Sequence, residues 1–287
     1  MTPAVRRFLA HRGAVAGVVL VLAVAALAIL GPVIASHDPI ARDMDRGLSE
    51  LGAPLGPSAD ALLGTDQLGR DVWARVLAGA TTSLQIAALA TLVSLAIGLS
   101  LGLAAGYAGG RTDNVLMRFV DLVLAFPYLL LAILLAALLR ESELGASSAP
   151  VVLTLGLVGW TTMARVIRGK VLSLSRSEYV LAARALGASP LRIVVHHIVP
   201  NIAGLVIVVT ALGFAQNLLA EAALSYVGLG PPPPTPTWGR MLYEGRAYYR
   251  SAPWLTIAPG AAILLAVVAF NILGEGLRDY LDPRGRR

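Results

Sequence analysis

The segment EYVLAARALGASPLRIVVHHIVPN, Glu178–Asn201, lies between two long apolar runs and carries charge, small residues and a central glycine. Ser177 is placed to cap a short helix over Glu178–Leu186, on which Ala182 and Ala183 leave a small-residue surface, and Gly187 breaks it. Ser189 at a cap and Pro190 at the first helical position start a second helix, which Pro200 is expected to stop. Leu191, Val194, Val195 and Ile198 then form an apolar side, with Arg184 and Arg192 facing water. Periodicity alone favours a helix lying at a membrane interface over a knob that fits a groove in another protein, and leaves both readings open.

Outside this segment the chain reads as a membrane protein. Of its 287 residues 56% are hydrophobic and only 14% charged, against about 25% charged in a soluble domain. Uncharged runs long enough to cross hydrocarbon, about 20 residues as helix, fall at 14–34, 82–108, 120–139, 147–167, 201–223 and 254–275. The first follows a basic start but is too long for the apolar core of a signal peptide, so it is expected to stay as an anchor. With the amino terminus inside, 15 of the 23 basic residues, from Arg6, Arg7 and Arg12 to Arg284, Arg286 and Arg287, fall on the inner side and 8 on the outer. This asymmetry predicts six transmembrane helices with both termini cytoplasmic and the 170–200 loop inside. The division expected is an N-terminal anchor helix and extracytoplasmic segment over 1–80, then a five-helix core over 81–287.

Other function classes find little support. The chain has no cysteine and four scattered histidines, which excludes a thiolate metal site and leaves no metal-ligand set. The net charge of +6 is spread between apolar spans without aromatic interleaving, so nucleic acid is not an expected partner. No G-x-x-x-x-G-K-[ST] phosphate loop occurs, so no ATP hydrolysis by this chain is expected. A secondary transporter would show inverted repeats and charged mid-span sites, and an intramembrane enzyme a catalytic dyad at membrane depth; neither is visible.

Several positions carry sharper expectations. Gly98, Gly102, Gly106 and Gly110 repeat every fourth residue and predict a face for close helix packing. Pro127 is expected to kink the third span, and Arg118 and Asp121 to pair locally. On the outer side Asp71 caps a short amphipathic helix from Val72, with Trp73 at the interface and Arg75 in water or headgroups. Gln216, Asn217 and Glu221 are polar within the fifth span and are candidates for a translocation path, although Glu221 sits near the outer end and could simply reach water.

The segment at Glu178–Asn201 resembles the cytoplasmic coupling motif of ABC-importer permeases, with Ala182, Ala183, Gly187 and Pro200 at matching positions. Leu181 stands where that motif usually has a glutamate, with Glu178 one turn earlier, and Val199 replaces a leucine. GTDQLGRDVWARVLAGATTSL, EAALSYVGLGPPPPTPTWGRML and NILGEGLRDYLDPR are similar to the dipeptide/oligopeptide/nickel importer family, in particular its C-type permease subunit, and the resemblance spans 64–284. It implies an all-α, type I ABC importer permease in the bacterial inner membrane. The implied partners are a homologous second permease, two ABC ATPases carrying ATP and Mg, an extracytoplasmic substrate-binding protein and membrane lipid. No cofactor is expected on this chain. Glu178, Ala182, Ala183, Gly187, Ala188, Pro190, Arg192 and Pro200 would then contact the ATPase, and Asp66, Arg70, Asp71 and Trp238 the binding protein. Peptides lead as the solute, with nickel chelates or another small solute as the alternative.

Overall fold

The computed structural model describes residues 11–281, which form helices joined by loops, with no strand among them. Arg6, Arg7, Arg284, Arg286 and Arg287 of the charge count lie outside the described residues. Helix α1 is Arg12–Ile34 and the short α2 is Met44–Gly47. Helix α3 spans Val72–Ala108, α4 Gly110–Leu124 and α5 Tyr128–Arg140. Ala149–Leu174 forms α6, Glu178–Ala185 α7 and Pro190–Tyr226 α8. Trp238–Gly245 forms α9 and Trp254–Leu281 α10.

The most extensive packing joins α3 to α6, and three of the four repeating glycines make it possible. A Cβ on Gly98 would lie 2.9 Å from the carbonyl oxygen of Trp160, on Gly102 2.9 Å from that of Ala164, and on Gly106 2.8 Å from that of Arg168. Only a residue without a side chain lets the two backbones meet at these points. One turn earlier, Ser94 Oγ donates to the Gly156 carbonyl at 3.1 Å. Gly110 takes no part: it lies beyond the end of α3 with nothing near its Cβ direction and a φ of +51°.

Because these partners advance together along both sequences, α3 and α6 run parallel. The chain must therefore cross back between them, and α4 and α5 are the only segment that can do so. They meet at an 85° bend, and each alone, about 20 Å long, is too short for about 30 Å of hydrocarbon. Pro127 thus breaks the third span more sharply than a kink, standing as the residue that precedes α5. Counting the bent pair once gives six candidate spans among the described residues.

The 37 residues of α3 extend about 55 Å, well beyond the hydrocarbon. Asp71 caps it, Oδ1 accepting from the Trp73 N–H at 2.9 Å, but no separate short helix follows because no breaker occurs before Ala108. This overturns the expectation for Arg75, which is 1% exposed. Its guanidinium reaches Asp66 Oδ2 at 3.3 Å and Glu244 Oε2 at 2.8 Å, and donates to the Pro39 carbonyl at 3.3 Å. Arg70 joins the same carboxylates at 2.7 and 2.9 Å, and Arg240 bonds Glu244 Oε1 at 2.9 Å. Helix α9, folded over the first turns of α3, replaces the water that an isolated surface helix would have met. The cluster ties the 35–71 segment, α3 and α9 into one cap.

Four stability outcomes follow from these contacts. Gly102→Leu forces apart the α3 and α6 backbones and should cost at least about 1–3 kcal/mol. Gly169→Ala, with open space at its Cβ on the same α6, should be neutral or stabilising by up to about 1 kcal/mol. Glu244→Gln leaves buried guanidiniums short of a carboxylate and should cost about 3–5 kcal/mol, whereas Arg42→Ala, on an exposed and unpaired arginine, should stay within about 0.5 kcal/mol. Denaturant titration of the purified variants in one detergent measures all four.

Candidate functional site

The coupling-like segment is anchored on the C-terminal ends of α3 and α6. Helix α7 ends in a left-handed turn: Gly187 has φ +84°, its N–H donates to the Arg184 carbonyl at 3.0 Å, and the Ala188 N–H donates to the Ala183 carbonyl at 3.1 Å. This crossed pair of bonds closes the helix and brings Ala183 and Ala188 together as half-buried residues against the core. A side chain at Gly187 would meet no neighbour, so glycine is required there by the backbone angle alone. Ser177 precedes α7 as expected, but its hydroxyl donates back to the Leu174 carbonyl at 2.6 Å and does not cap the new helix.

Pro200 does not stop the second helix. The chain runs without a break from Pro190 to Tyr226, and residues Val194–Ile198 form a π turn in which the Val199 N–H donates to the Val194 carbonyl. The wider turn accommodates a proline that has no N–H to offer. It also brings residues five apart onto one face, so Ile193 and Ile198 both point inward and are fully buried, with Val194 beside them. Leu191 and Val195, expected on the apolar side, instead face outward at 74% and 48% exposure.

Val180, Ile193 and Ile198 pack on Met163, Ile167 and Val171 of α6, edged by Leu99, Leu103 and Tyr107 of α3. The Arg184 guanidinium stands 5.5 Å from the centroid of the Tyr107 ring. On the outside of the segment, Glu178, Leu181, Ala182, Leu186, Gly187, Pro190, Leu191, Arg192 and Pro200 are exposed. The surface offered is therefore largely apolar, with Glu178, Arg184 and Arg192 as charges on it, and Leu181 contributes hydrocarbon.

Two ion pairs beside this segment escaped the sequence reading. Arg168 forks onto Asp113 at 2.5 and 2.6 Å, and Arg165 reaches Asp121 at 2.6 Å, so both bonds tie α4 to α6. Asp121 therefore does not pair with Arg118, which is exposed one turn away. Residues this far apart in sequence leave no local signal, whereas a spacing of three does.

The polar residues of α8 divide between two faces. Gln216 is exposed at mid-span. Asn217 and Glu221 are buried inside the bundle at 3% and 0% exposure, so Glu221 does not reach water. Asn217 Nδ2 donates to Thr91 Oγ1 at 3.0 Å, and Ser225 Oγ donates to Glu221 Oε1 at 2.7 Å. Thr237 Oγ1 donates to Ser225 Oγ at 3.4 Å, while Ser83 Oγ accepts from the Trp238 N–H at 3.2 Å, linking α8, α9 and α3.

Of the outer candidates, Asp66 and Arg70 belong to the buried ion cluster. Trp238 is 3% exposed with its indole N–H on the Val76 carbonyl at 2.9 Å. Asp71 also holds the exposed His37 at 2.9 Å. Among the described residues no group of histidine and carboxylate side chains is placed to hold a metal ion.

Comparison with known proteins accounts for this arrangement. Residues 98–287 match the family described as binding-protein-dependent transport system inner membrane component, and residues 3–54 match the N-terminal transmembrane domain of oligopeptide transport permease C. The oligopeptide transport system permease protein OppC of Bacillus subtilis is 37% identical over 284 residues, covering 99% of this chain and 90% of the relative. The dipeptide transport system permease protein DppC of Alkalihalophilus pseudofirmus is 38% identical over 271 residues, covering 94% and 86%. A chain from inward-facing structures of the MetNI methionine ABC transporter superposes with a TM-score of 0.61 at 17% identity, covering 74% of this chain and 98% of that one. That likeness establishes the fold, a type I ABC importer permease. With matches to both family descriptions and to relatives over nearly its whole length, the chain belongs to the binding-protein-dependent transport system inner membrane components and is a multi-pass inner membrane protein.

Proposed function

We propose that this chain is one of two homologous permease subunits in an ATP-driven importer of di- or oligopeptides, with ATP and Mg held by two partner ATPases and substrate delivered by an extracytoplasmic binding protein. The oligopeptide and dipeptide permease relatives support the solute class. The observation that carries the coupling role is the two-sided build of the 178–200 segment. Its inner side is cemented to α3 and α6 by Val180, Ile193 and Ile198, while Leu181, Leu186 and Leu191 face outward and are exposed.

Mechanically, close packing makes the segment and the α3–α6 pair move as one piece, because displacing a buried isoleucine opens a void. ATPase closure against the exposed leucines would shift both helices together, and the ion pairs from Arg165 and Arg168 would draw α4 along. Such a rigid-body shift is the kind of change that exchanges inward- and outward-open states. Gln216 is the strongest candidate for the path, since an exposed amide at mid-span is costly in lipid and favours a wet or protein-lined face. Asn217 and Glu221 then serve to hold α8 and α9 to α3. Asp66, Arg70 and Trp238 act on binding-protein docking by holding the shape of the outer cap, and Asp71 lies nearest its surface.

The basic asymmetry puts the 178–200 segment in the cytoplasm. Reporter fusions near residues 55, 143 and 240 should read outside, and those near 111, 188 and 285 inside. An external signal at 188 would remove the segment from reach of any ATPase.

Replacement of Ala183 by arginine should push α7 off its seat and reduce ATPase copurification, since the position is half-buried against the core. Gly187→Val places a β-branched residue at φ +84°, a conformation costing about 1–2 kcal/mol even for a simple side chain. It should distort the turn, leaving an ATPase that still binds but is no longer stimulated by loaded binding protein. Copurification, stimulated hydrolysis and peptide uptake in one reconstituted system test both variants; normal uptake by both would remove the coupling role.

A further inference from the structure

Glu221 of α8 is completely buried, with no arginine, lysine or histidine of the described residues beside it to balance a carboxylate. Its polar neighbours are three hydroxyls from three elements: Ser225 on its own helix, Ser83 on α3, and Thr237, the residue that caps α9. Ser225 Oγ donates to Oε1 at 2.7 Å and is itself reached by Thr237 Oγ1 at 3.4 Å. Oε2, sealed from solvent, has no hydrogen-bond partner among the described residues. The guanidiniums closest along these elements are Arg75, about two turns from Ser83 on α3, and Arg240, one turn from Thr237 on α9. Both are committed to Glu244, and Arg75 also to Asp66.

Two needs therefore meet at one point, a charge without compensation and an oxygen without a partner, and each alone is destabilising. A proton answers only the first. Placed on Oε1 it leaves Oε2 an unmet acceptor, and placed on Oε2 it makes an O–H with nothing to donate to. A water molecule could bond Oε2 but would leave the charge uncompensated. A bound cation answers both, since it sits on oxygen lone pairs and carries the opposite charge.

The donor set narrows the ion. One carboxylate and three hydroxyls present only oxygen, which suits a hard cation. A single negative charge is matched by a single positive one, whereas a divalent ion would bury an excess charge that no second carboxylate beside it cancels. Size points the same way, because glycines draw the walls tight. A Cβ on Gly230 would collide with Ser225 Oγ, and one on Gly239 would lie 2.5 Å from the Ala222 carbonyl oxygen. A site so confined favours a small ion over a large one. We propose that Glu221, Ser225, Ser83 and Thr237 form a binding site for one sodium ion, which joins α8, α3 and α9 where the bundle meets the outer cap. Such a site is independent of the solute carried.

The test is thermal unfolding of the purified importer complex at constant ionic strength, with sodium replaced by potassium or by choline. Sodium in large excess should raise the melting temperature by several degrees over choline, with potassium falling short. Glu221→Gln should remove the sodium dependence. Ser225→Ala, which keeps the charge, should lower the apparent sodium affinity roughly tenfold through one lost ligand, whereas Ser100→Ala, on an exposed position of α3, should not change it. Equilibrium dialysis with radioactive sodium should find one more ion per complex in the parent than in the Glu221→Gln variant. Equal melting in all three salts would overturn the site, and Glu221→Gln as stable as the parent would then identify a carboxyl that simply holds a proton. Sodium binding that survives both Glu221→Gln and Ser225→Ala unchanged would overturn it as well.

Discussion

The approach of α3 to α6 is the contact on which the remaining structure depends. Glycines at 98, 102 and 106 meet the carbonyls of Trp160, Ala164 and Arg168 in parallel register, and in a membrane such contact is a principal source of association because hydrocarbon supplies no hydrophobic drive between helices. The parallel register obliges α4 and α5 to return the chain across the bilayer. It also sets Met163, Ile167 and Val171 in line to receive the 178–200 segment. The 178–200 segment and the bundle are thus continuations of one packed unit.

At the opposite end the same helix α3 outgrows the hydrocarbon, and its first turns meet a different solvent. There Asp66, Arg70, Arg75, Arg240 and Glu244 satisfy one another in a buried network. Breaking such a network is costlier than never having built it, since each partner removed leaves a charge without compensation. The network makes the 35–71 segment, a long loop by composition, an ordered cap with α9.

The two ends use opposite chemistry for the same purpose. Where the 178–200 segment seats, small residues and isoleucines hold the geometry because packed hydrocarbon resists voids. On the outer side, guanidinium–carboxylate forks fix geometry through direction and charge. Between them Asn217 bonds Thr91 across α8 and α3, and Ser83 of α3 holds the Trp238 N–H of α9, by hydrogen bonds that water does not contest, each residue being buried. Gln216, one residue from Asn217 and so about 100° around the helix, is left on the outside.

Much of this was legible along the chain. Uncharged run lengths marked the spans, the four-residue spacing marked a close-packing face, and Gly187 marked the turn, because these depend on local backbone geometry and on transfer of side chains to hydrocarbon. What the linear pattern misjudged were positions whose environment comes from distant residues. Arg75 looks like a surface residue until α9 folds over it, and Asp121 finds Arg165 before Arg118. Pro200 looks like a terminator until a π turn absorbs it. The spans, the turn at Gly187 and the family were determined by sequence alone. Which face of each helix met a neighbour, and so which polar residues were buried, was decided only by tertiary structure, since burial of a charge is settled by partners that the local sequence does not contain.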